Sequence, residues 1–528
     1  MSDDVRAYHQ LSKHRPEAFA PGPGRLDWAT QPAPFRRYDG ARLIELWHRP
    51  QEESPPFDSV FAAPSATVQP MNRASLSQLL YDSLALSAWK EAGDSRWALR
   101  VNPSSGNLHP TEAYLLLPSG ALEDGALLAH YSADVHALEV RAELPPALGS
   151  ALPADGCLLA LASIPWREAW KYGERAYRYC QHDLGHALAA LAIAASALGW
   201  QVRLLRGVPE VRLDGVFGLD REGFHEAEHI DCLLWIGPVR EQEPGLSAGL
   251  LNGLAALETS GRPNRLSRQY RDWPELARVH TLCRAPALPP VPWQAAPGRQ
   301  VADNPGLPLR PILHRRRSAQ DMDGKAGITA ELLFAWLQRL MPANSPVPFA
   351  VTGEPPEVDL LLFVHRVRDL TPGLYWLARG DGQAQAGLRE DFTWQRVHDE
   401  LPLYRLLEGD ARGLAAFLSC GQDIASDGCL AVAMLARFDS ALAGGAWRYP
   451  RLYWECGQIG QLLYLEAEAA GLSATGIGCY FDEAVHELLG LADSRWQSLY
   501  HFTLGRAVWD ERLLSLPAYD DLRRPPHP

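Results

Sequence analysis

Three glycines recur at one fixed interval along this chain of 528 residues, and that recurrence limits its fold more than any other feature. The segment HDLGHALAALAIAASALGW (182–200) aligns with WECGQIGQLLYLEAEAAGL (454–472), pairing Gly185 with Gly457 and Gly199 with Gly471. The register continues without a gap to Gly218 and Leu219 over Gly490 and Leu491, so every pair lies 272 positions apart. A fainter echo sets PTEAYLLLPSG and the following HYSADVHALEV against EVDLLLFVHRV and LYWLARGDGQA. The repeated unit is a whole domain, and the chain reads as a tandem duplication.

Each copy has the same order of elements: a helix near 73–90 or 328–341, a strand, a loop and second strand, a long central helix, a short helix and a closing strand. The closing strands IDCLLWIG and LYHFTLG are apolar runs of strand length ending in Gly237 and Gly505. Strands and helices that do not strictly alternate predict α+β layers rather than a doubly wound sheet. Between the copies, APALPPVPWQAAPG and NPGLPLRP lack the amide donors of a central strand and the periodicity of a helix, so 286–311 reads as a connector. The expected division is an N-terminal extension over 1–65, a first domain over 66–240, a strap helix (amphipathic over 267–283) and Pro-rich linker within 241–304, and a second domain over 305–528.

At 47% hydrophobic and 21% charged, the composition is that of globular material larger than one core usually holds. A formal charge of −13 argues against a nucleic-acid coat or a polybasic membrane anchor. The local arginines at 315–317 still leave room for an anionic ligand. MSDDVRAYHQ lacks the basic and apolar regions of a secretory signal, and the apolar helix at 187–200 is too short to span a bilayer. Eight cysteines without a CxxC pair or metal spacing read as reduced, packed thiols. A soluble, cytoplasmic protein with neither nucleic-acid nor membrane partners is expected.

Two short motifs divide between the halves. Pro103-Ser104-Ser105-Gly106-Asn107 stands in the first and Arg315-Arg316-Arg317-Ser318 in the second. The first half has DSVFAAPSATVQPMNRASL where an arginine run would fall, and the second has MPANSPVPF in place of the serine loop. Over residues 70–240 and 305–515 these motifs, in this order, resemble the flavin-dependent nitroreductase superfamily, in particular its tandem azoline dehydrogenase-like (SagB/ThcOx-type) branch, which oxidises heterocycles in ribosomal peptides.

The resemblance implies two nitroreductase-like three-layer domains, each an antiparallel-rich mixed sheet flanked by helices, forming an intramolecular pseudo-dimer with further oligomerisation open. It implies that Arg316, Arg317 and Ser318 hold the FMN phosphate and ribityl chain, with Gln320 where the family often has Lys or Arg. Pro103, Ser104, Ser105 and Asn107 would cover the isoalloxazine. Glu455, Gly457 and Gln461 would lie in the dimer core, and Gly476, Gly478 and Cys479 would pass the flavin N5. Arg512 would meet the phosphate, with Arg506 as a rival. One site would be intact and one degenerate, giving one FMN per chain. Lacking a GxGxxG unit, the chain would take NAD(P)H only as a transient reductant.

The residue types suit that chemistry. A phosphate dianion favours guanidinium and hydroxyl donors, serine and glycine let amides approach a ring edge, and Asn107 offers both donor and acceptor. Gln320 supplies no positive charge near N1, so another cation serves or the potential is lower than in relatives. Lys171 and Tyr172, within WKYG and followed by Arg175, resemble an amine–phenol pair that moves the proton accompanying hydride transfer. They read equally as a surface lysine and a packing tyrosine, and the second half has Ala443, Gly444 and Gly445 at that offset. His182, Asp183 and His186 have zinc-like helical spacing but no third ligand at a credible distance, so no metal is expected. Trp293, Trp336, Trp447, Trp454 and Trp509 read as core or interface residues, with a lid over the flavin among their possible roles.

The expected function is therefore an FMN-dependent oxidoreductase carrying hydride through N5 to or from a small organic or peptide-heterocycle substrate. The rival from another class is a flavin-binding or flavin-free scaffold in a peptide-modifying complex.

Overall fold

Alternation along one strand shows what each sheet has to cover. In Thr111–Leu117 every residue is buried: Ala113, Leu115 and Leu117 face one apolar cluster, Tyr114 and Leu116 another. Val358–Val364 repeats this, with Leu360 and Leu362 on one side and Leu361 and Phe363 on the other. A sheet with two apolar faces needs a layer on each side, which gives the three-layer α+β arrangement.

The computed structural model describes residues 2–48, 54–64, 67–293, 306–380 and 387–519. It contains two seven-stranded sheets of matching topology. In order across the first sheet run Arg42–Glu45, Ala137–Glu143, Leu127–Ser132, Thr111–Leu117, Cys157–Ser163, His229–Gly237 and Gln201–Leu204. Across the second run Gln395–Arg396, Leu403–Glu408, Gly373–Leu377, Val358–Val364, Leu430–Arg437, Trp496–Gly505 and Ser473–Ile477. All ladders within both sheets are antiparallel. Between the sheets lie two long core helices, Ala176–Ser196 and Arg448–Ala469.

The repeated glycines mark where these helices meet and end. A Cβ on Gly185 would come within 2.4 Å of the Trp454 carbonyl oxygen and 2.9 Å of Gly457 Cα. One on Gly457 would come within 2.4 Å of the His182 carbonyl oxygen and 2.7 Å of Gly185 Cα. Each glycine meets the other's helix in the same way, as at an isologous two-fold contact. Gly199 and Gly471 close the two helices at φ +74° and +69°. The following amides of Trp200 and Leu472 donate to the Ala195 and Ala467 carbonyls at 2.9 and 2.8 Å, the 6→1 bond of a Schellman cap.

The halves also exchange segments. The N-terminal helix Ser2–Leu11 packs on the second half, where His9 meets Gln497 Oε1 at 3.0 Å. The C-terminal strand Leu514–Leu516 pairs with Leu86–Ala92 of the first half. Buried between the halves, Asp482 accepts from Arg178 at 2.7 Å and Arg175 at 3.0 Å. Burial alone would raise its carboxyl, but these two guanidiniums hold it far below the carboxylate range.

Several expected boundaries move. The first helix is Arg73–Tyr81, and Leu86–Ala92 turns back through Gly93 (φ +54°) into Ser95–Arg100 as a hairpin, where a helix to 90 is expected. The strap helix is Pro274–Leu282, because a proline at N1 biases the residue before it towards extended backbone. The counterpart of Ala137–Glu143 is Leu403–Glu408, not the segment around 378–384, part of which lies outside the described residues, as does 294–305 of the linker. Among the described residues no helix is long and apolar enough to cross a membrane.

Gly457→Ala forces backbone against backbone, where overpacking costs about 1–3 kcal/mol, and the expected loss lies at or beyond the upper end. Gly471→Ala has open space around its Cβ and pays only for the left-handed backbone, about 1–2 kcal/mol. Denaturant titration of both variants checks the ranking, with Gly457→Ala the less stable.

Candidate functional site

A cavity of about 760 Å³ opens where the two halves meet. The first half contributes the loop 102–107, Trp97, Tyr172, Tyr179, Asp183 and His186. The second contributes 316–320, Tyr464, 475–479 and Tyr500, with Trp509 and Ser515 from the C-terminal segment.

The serine loop is held in an unusual backbone shape. Gly106, Asn107 and His109 have φ of +58°, +59° and +53°, and two of these are not glycine. Asp183, on the core helix, fixes it: the Ser105 amide and hydroxyl each donate to Oδ1 at 2.9 Å. The His109 amide donates to Ser104 Oγ at 2.8 Å, and the Asn107 side-chain amide donates to the Ala98 carbonyl at 2.9 Å. Burial pushes the Asp183 carboxyl up to about 7 against the hydrogen bonds from Ser104 and Ser105. Tyr172 and Lys171, the last residues of helix Pro165–Tyr172, stand against this loop at Gly106. A Cβ at Gly106 would stand 2.6 Å from the Tyr172 hydroxyl and 3.2 Å from Lys171 Nζ, so a side chain there would crowd both groups and strain the backbone.

The arginine segment follows helix Leu309–Arg315 and lies beside Ser473–Ile477, where the Ala319 amide donates to the Ala474 carbonyl at 3.0 Å. Arg316 reaches into the other half: Nε donates to the Val101 carbonyl at 3.1 Å and Nη2 to the Arg100 carbonyl at 3.0 Å, with Cζ 5.0 Å from the Tyr464 ring centre. Arg317 Nη1 donates to Ser87 Oγ at 3.2 Å and to the His314 carbonyl at 2.8 Å. Among the described residues neither arginine forms an ion pair; Glu468, whose charge both feel, is paired with Arg315 at 3.2 Å. Burial holds both guanidiniums below the ordinary arginine range. Buried cations without counter-charge cost several kcal/mol each, about what an anion entering the cavity would relieve.

On the opposite wall the glycines are dictated by tyrosines. A Cβ on Gly476 would lie 2.0 Å from the Tyr500 hydroxyl, and one on Gly478 2.0 Å from Tyr179. The Gly476 amide donates to the Tyr464 hydroxyl at 3.0 Å, and that hydroxyl pairs with Ser318 Oγ at 2.8 Å. Arg175 donates to the Gly478 carbonyl at 3.0 and 3.2 Å.

The register mate of this cavity is closed. Tyr179, Asp183 and His186 correspond 272 positions on to Arg451, Glu455 and Gln458, which line a void of only about 30 Å³. Two of its lining residues, Glu455 and Phe349, are engaged by Arg379, bonded to Glu455 at 2.5 Å with Cζ 4.8 Å from the Phe349 ring centre, while Arg451 pairs with Glu210 at 2.6 Å.

Of the residues singled out in the sequence, Pro103, Ser104, Ser105, Asn107, Tyr172, Arg316, Arg317, Ser318, Gln320, Gly476, Gly478 and Cys479 line one cavity. Arg512 does not. Its guanidinium is chelated by Asp510 at 2.7 Å and the side chain is 88% exposed, because an Asp two residues earlier captures it locally. Lys90 and Arg100 line the cavity instead. His182 stacks on Tyr500 at 4.1 Å and His186 meets Gln461 at 3.2 Å, so the pair is packed into the helix interface. Of the tryptophans, Trp509 lies at the cavity rim, whereas Trp293, Trp336 and Trp454 are buried. Asp183 was missed as the loop's anchor; its place one turn after Tyr179 on the core helix was the available signal.

Comparison with known proteins gives the fold a context. The nitroreductase family profile matches residues 69–237 and 418–506. No curated protein matches. A crystal structure from Anabaena variabilis ATCC 29413, provisionally assigned as a nitroreductase, superposes with a TM-score of 0.69 at 23% identity, covering 96% of this chain and 99% of its own. The E. coli microcin synthetase McbBCD complex with truncated pro-MccB17 gives 0.27 at 18% identity, covering 46% of this chain and 93% of that one. The nitroreductase fold thus extends over nearly the whole molecule.

Asp183 also sets a pH dependence. Its folded-state pKa of about 7 lies above the ordinary aspartate value, so the unfolded chain loses this proton first and stability falls as pH rises from about 4 to about 7. Asp183→Asn removes that contribution. Thermal melts across this range should show the wild type losing stability relative to the variant as pH rises, and parallel curves would contradict the assignment.

Proposed function

We propose that this chain is an FMN-dependent oxidoreductase of the nitroreductase type, with one FMN per chain bound between its halves. Its hydride would pass to or from a small organic substrate or a peptide-borne heterocycle. The observation that carries this reading is the pair of guanidiniums, Arg316 buried and Arg317 partly buried, which among the described residues have no ion-pair partner and stand at the wall of a cavity of about 760 Å³. That size is typical of a ligand site, and the donor set suits a phosphate-bearing planar ligand.

FMN bound there would supply reversible hydride acceptance at N5. Arg316, Arg317 and Ser318 would neutralise its phosphate, with Lys90 and Arg100 as further cations of the lining in the role first expected of Arg512. Gly476 and Gly478, without Cβ atoms, leave backbone exposed to a flat ring. Asp183 holds Ser105 so that the loop keeps its shape when a ligand enters. Gln320 offers only neutral hydrogen bonds.

Lys171 and Tyr172 are the candidate proton-handling pair. Burial pushes the Tyr172 phenol well above its ordinary range, so it stays protonated and acts as a donor. The Lys171 amine, 5.2 Å from the Tyr172 ring centre, would give or take the proton that accompanies hydride transfer. NAD(P)H would use the same cavity after the first product leaves, in ping-pong order.

Loss of a charge-assisted contact worth about 1.5–3 kcal/mol lowers affinity roughly tenfold or more, and this is the expected effect of Arg316→Gln or Arg317→Gln on FMN binding followed by fluorescence. Protein that takes up no FMN would instead favour the scaffold reading. A second measurement separates binding from chemistry. Lys171→Ala should retain FMN affinity while anaerobic NAD(P)H still bleaches the bound chromophore, and turnover of an organic acceptor should fall by about 10²-fold or more. Unchanged turnover in that variant would remove Lys171 from the mechanism.

A further inference from the structure

Two of the eight cysteines differ from the rest. Cys157, Cys180, Cys232, Cys283, Cys429 and Cys456 are buried, and burial raises the pKa of each thiol. Cys420 and Cys479 are only partly buried, and their sulfurs lie 2.8 Å apart. They belong to different elements. Cys420 sits on the turn after helix Arg412–Leu418 with φ +57°, a left-handed shape rare for a residue with a side chain. Cys479 follows strand Ser473–Ile477 and lines the large cavity.

The surroundings hold both cysteines in place. Gln422 donates to the Cys479 carbonyl at 3.0 Å and the Ser419 carbonyl at 2.7 Å, tying the two backbones together. Arg175 clamps the Gly478 carbonyl from the first half. His14, from the N-terminal segment, stands beside the Cys479 side chain and favours its thiolate. Its Nδ1 accepts from the Ala20 amide at 2.9 Å, which leaves Nε2 as the N–H of the neutral ring.

We propose that Cys420 and Cys479 are a redox-active dithiol that closes to an intramolecular disulfide when a hydroperoxide enters the cavity. Cys479 lines the cavity that the hydroperoxide enters and Cys420 is not part of that lining, so Cys479 is the nucleophile and Cys420 the resolving thiol; the Cys420 S–H, with His14 and Arg175, holds the Cys479 thiol down against burial. The Cys479 thiolate attacks the peroxide oxygen, forming an S–O bond as the O–O bond breaks, and the departing alkoxide or hydroxide takes up a proton. Cys420 then attacks the sulfenic sulfur. An S–S bond forms, the S–O bond breaks, and the hydroxyl leaves as water with the Cys420 proton. Two thiols are oxidised by two electrons, and one hydroperoxide is reduced to alcohol and water. None of these steps passes through a flavin, so the proposal stands apart from the cofactor reading.

The test is a thiol count on the full-length reduced protein, exposed to a small excess of hydrogen peroxide, then alkylated unfolded and digested without reductant. Mass spectrometry should find two of the eight thiols lost, recovered in one Cys420–Cys479 cross-linked peptide that dithiothreitol releases. In Cys420→Ser the cross-link is absent and dimedone labels Cys479 as a sulfenic acid, whereas in Cys479→Ser peroxide leaves Cys420 alkylatable. Both cysteines alkylated as fully as in untreated wild type, or a disulfide joining other cysteines, would overturn the proposal. Because the wild-type result stands alone, a misfolded variant does not rescue it, and the count is made on flavin-free protein, in which the cavity lined by Cys479 is open to peroxide.

Discussion

The approach of two helix backbones at Gly185 and Gly457 is the constraint from which the rest of the structure follows. With no Cβ on either side, the core helices cross within contact of each other's carbonyls, and each half brings its own sheet against the pair. Residues within one turn of that crossing are thereby brought to the cavity. Asp183 and His186 of the first helix face Tyr464, Gly476 and Tyr500 of the second half. The Asp482 carboxylate, shared by Arg175 and Arg178, locks the same interface with charge at its edge. A buried pair of this kind adds less to stability than to uniqueness of docking, since removing one partner strands a charge.

The repeat keeps its backbone and departs in its side chains. At the crossing and at the helix caps the two copies retain glycine, because geometry leaves no alternative. At the cavity they diverge: Tyr179, Asp183 and His186 stand where Arg451, Glu455 and Gln458 stand in the other copy. At the second position Arg379 pairs with Glu455 and packs over Phe349, so its guanidinium already has a counter-charge. The first position keeps two unneutralised guanidiniums and an open volume. An approximately symmetric scaffold therefore carries one large asymmetric cavity, lined by the serine loop of one half and the arginine segment of the other.

Much of this was legible in the sequence for identifiable reasons. The glycine register was readable because each glycine answers a steric demand that no other residue meets. The Ser104–Ser105–Asn107 and Arg316–Arg317–Ser318 motifs were readable because each half lacks the other's part. What escaped was set by tertiary contacts or by local competition. Arg512 looked like a phosphate ligand, but Asp510 captures it. The helix expected up to residue 90 gives way to a hairpin, since Leu86–Ala92 finds a partner strand from the far end of the chain. Asp183 had the spacing of a metal-binding helix, and only the folded loop gives its carboxylate the task of holding Ser105. The side on which Lys171 and Tyr172 lie had no sequence signal; it depends on how helix Pro165–Tyr172 ends against Gly106.

The central claim is that the two halves build a single shared site. Equilibrium titration of FMN into the ligand-free full-length chain tests it most directly. The account predicts saturation at one FMN per chain. Saturation at two, with the position lined by Arg451 and Glu455 filled as well, or no saturable binding, would contradict it.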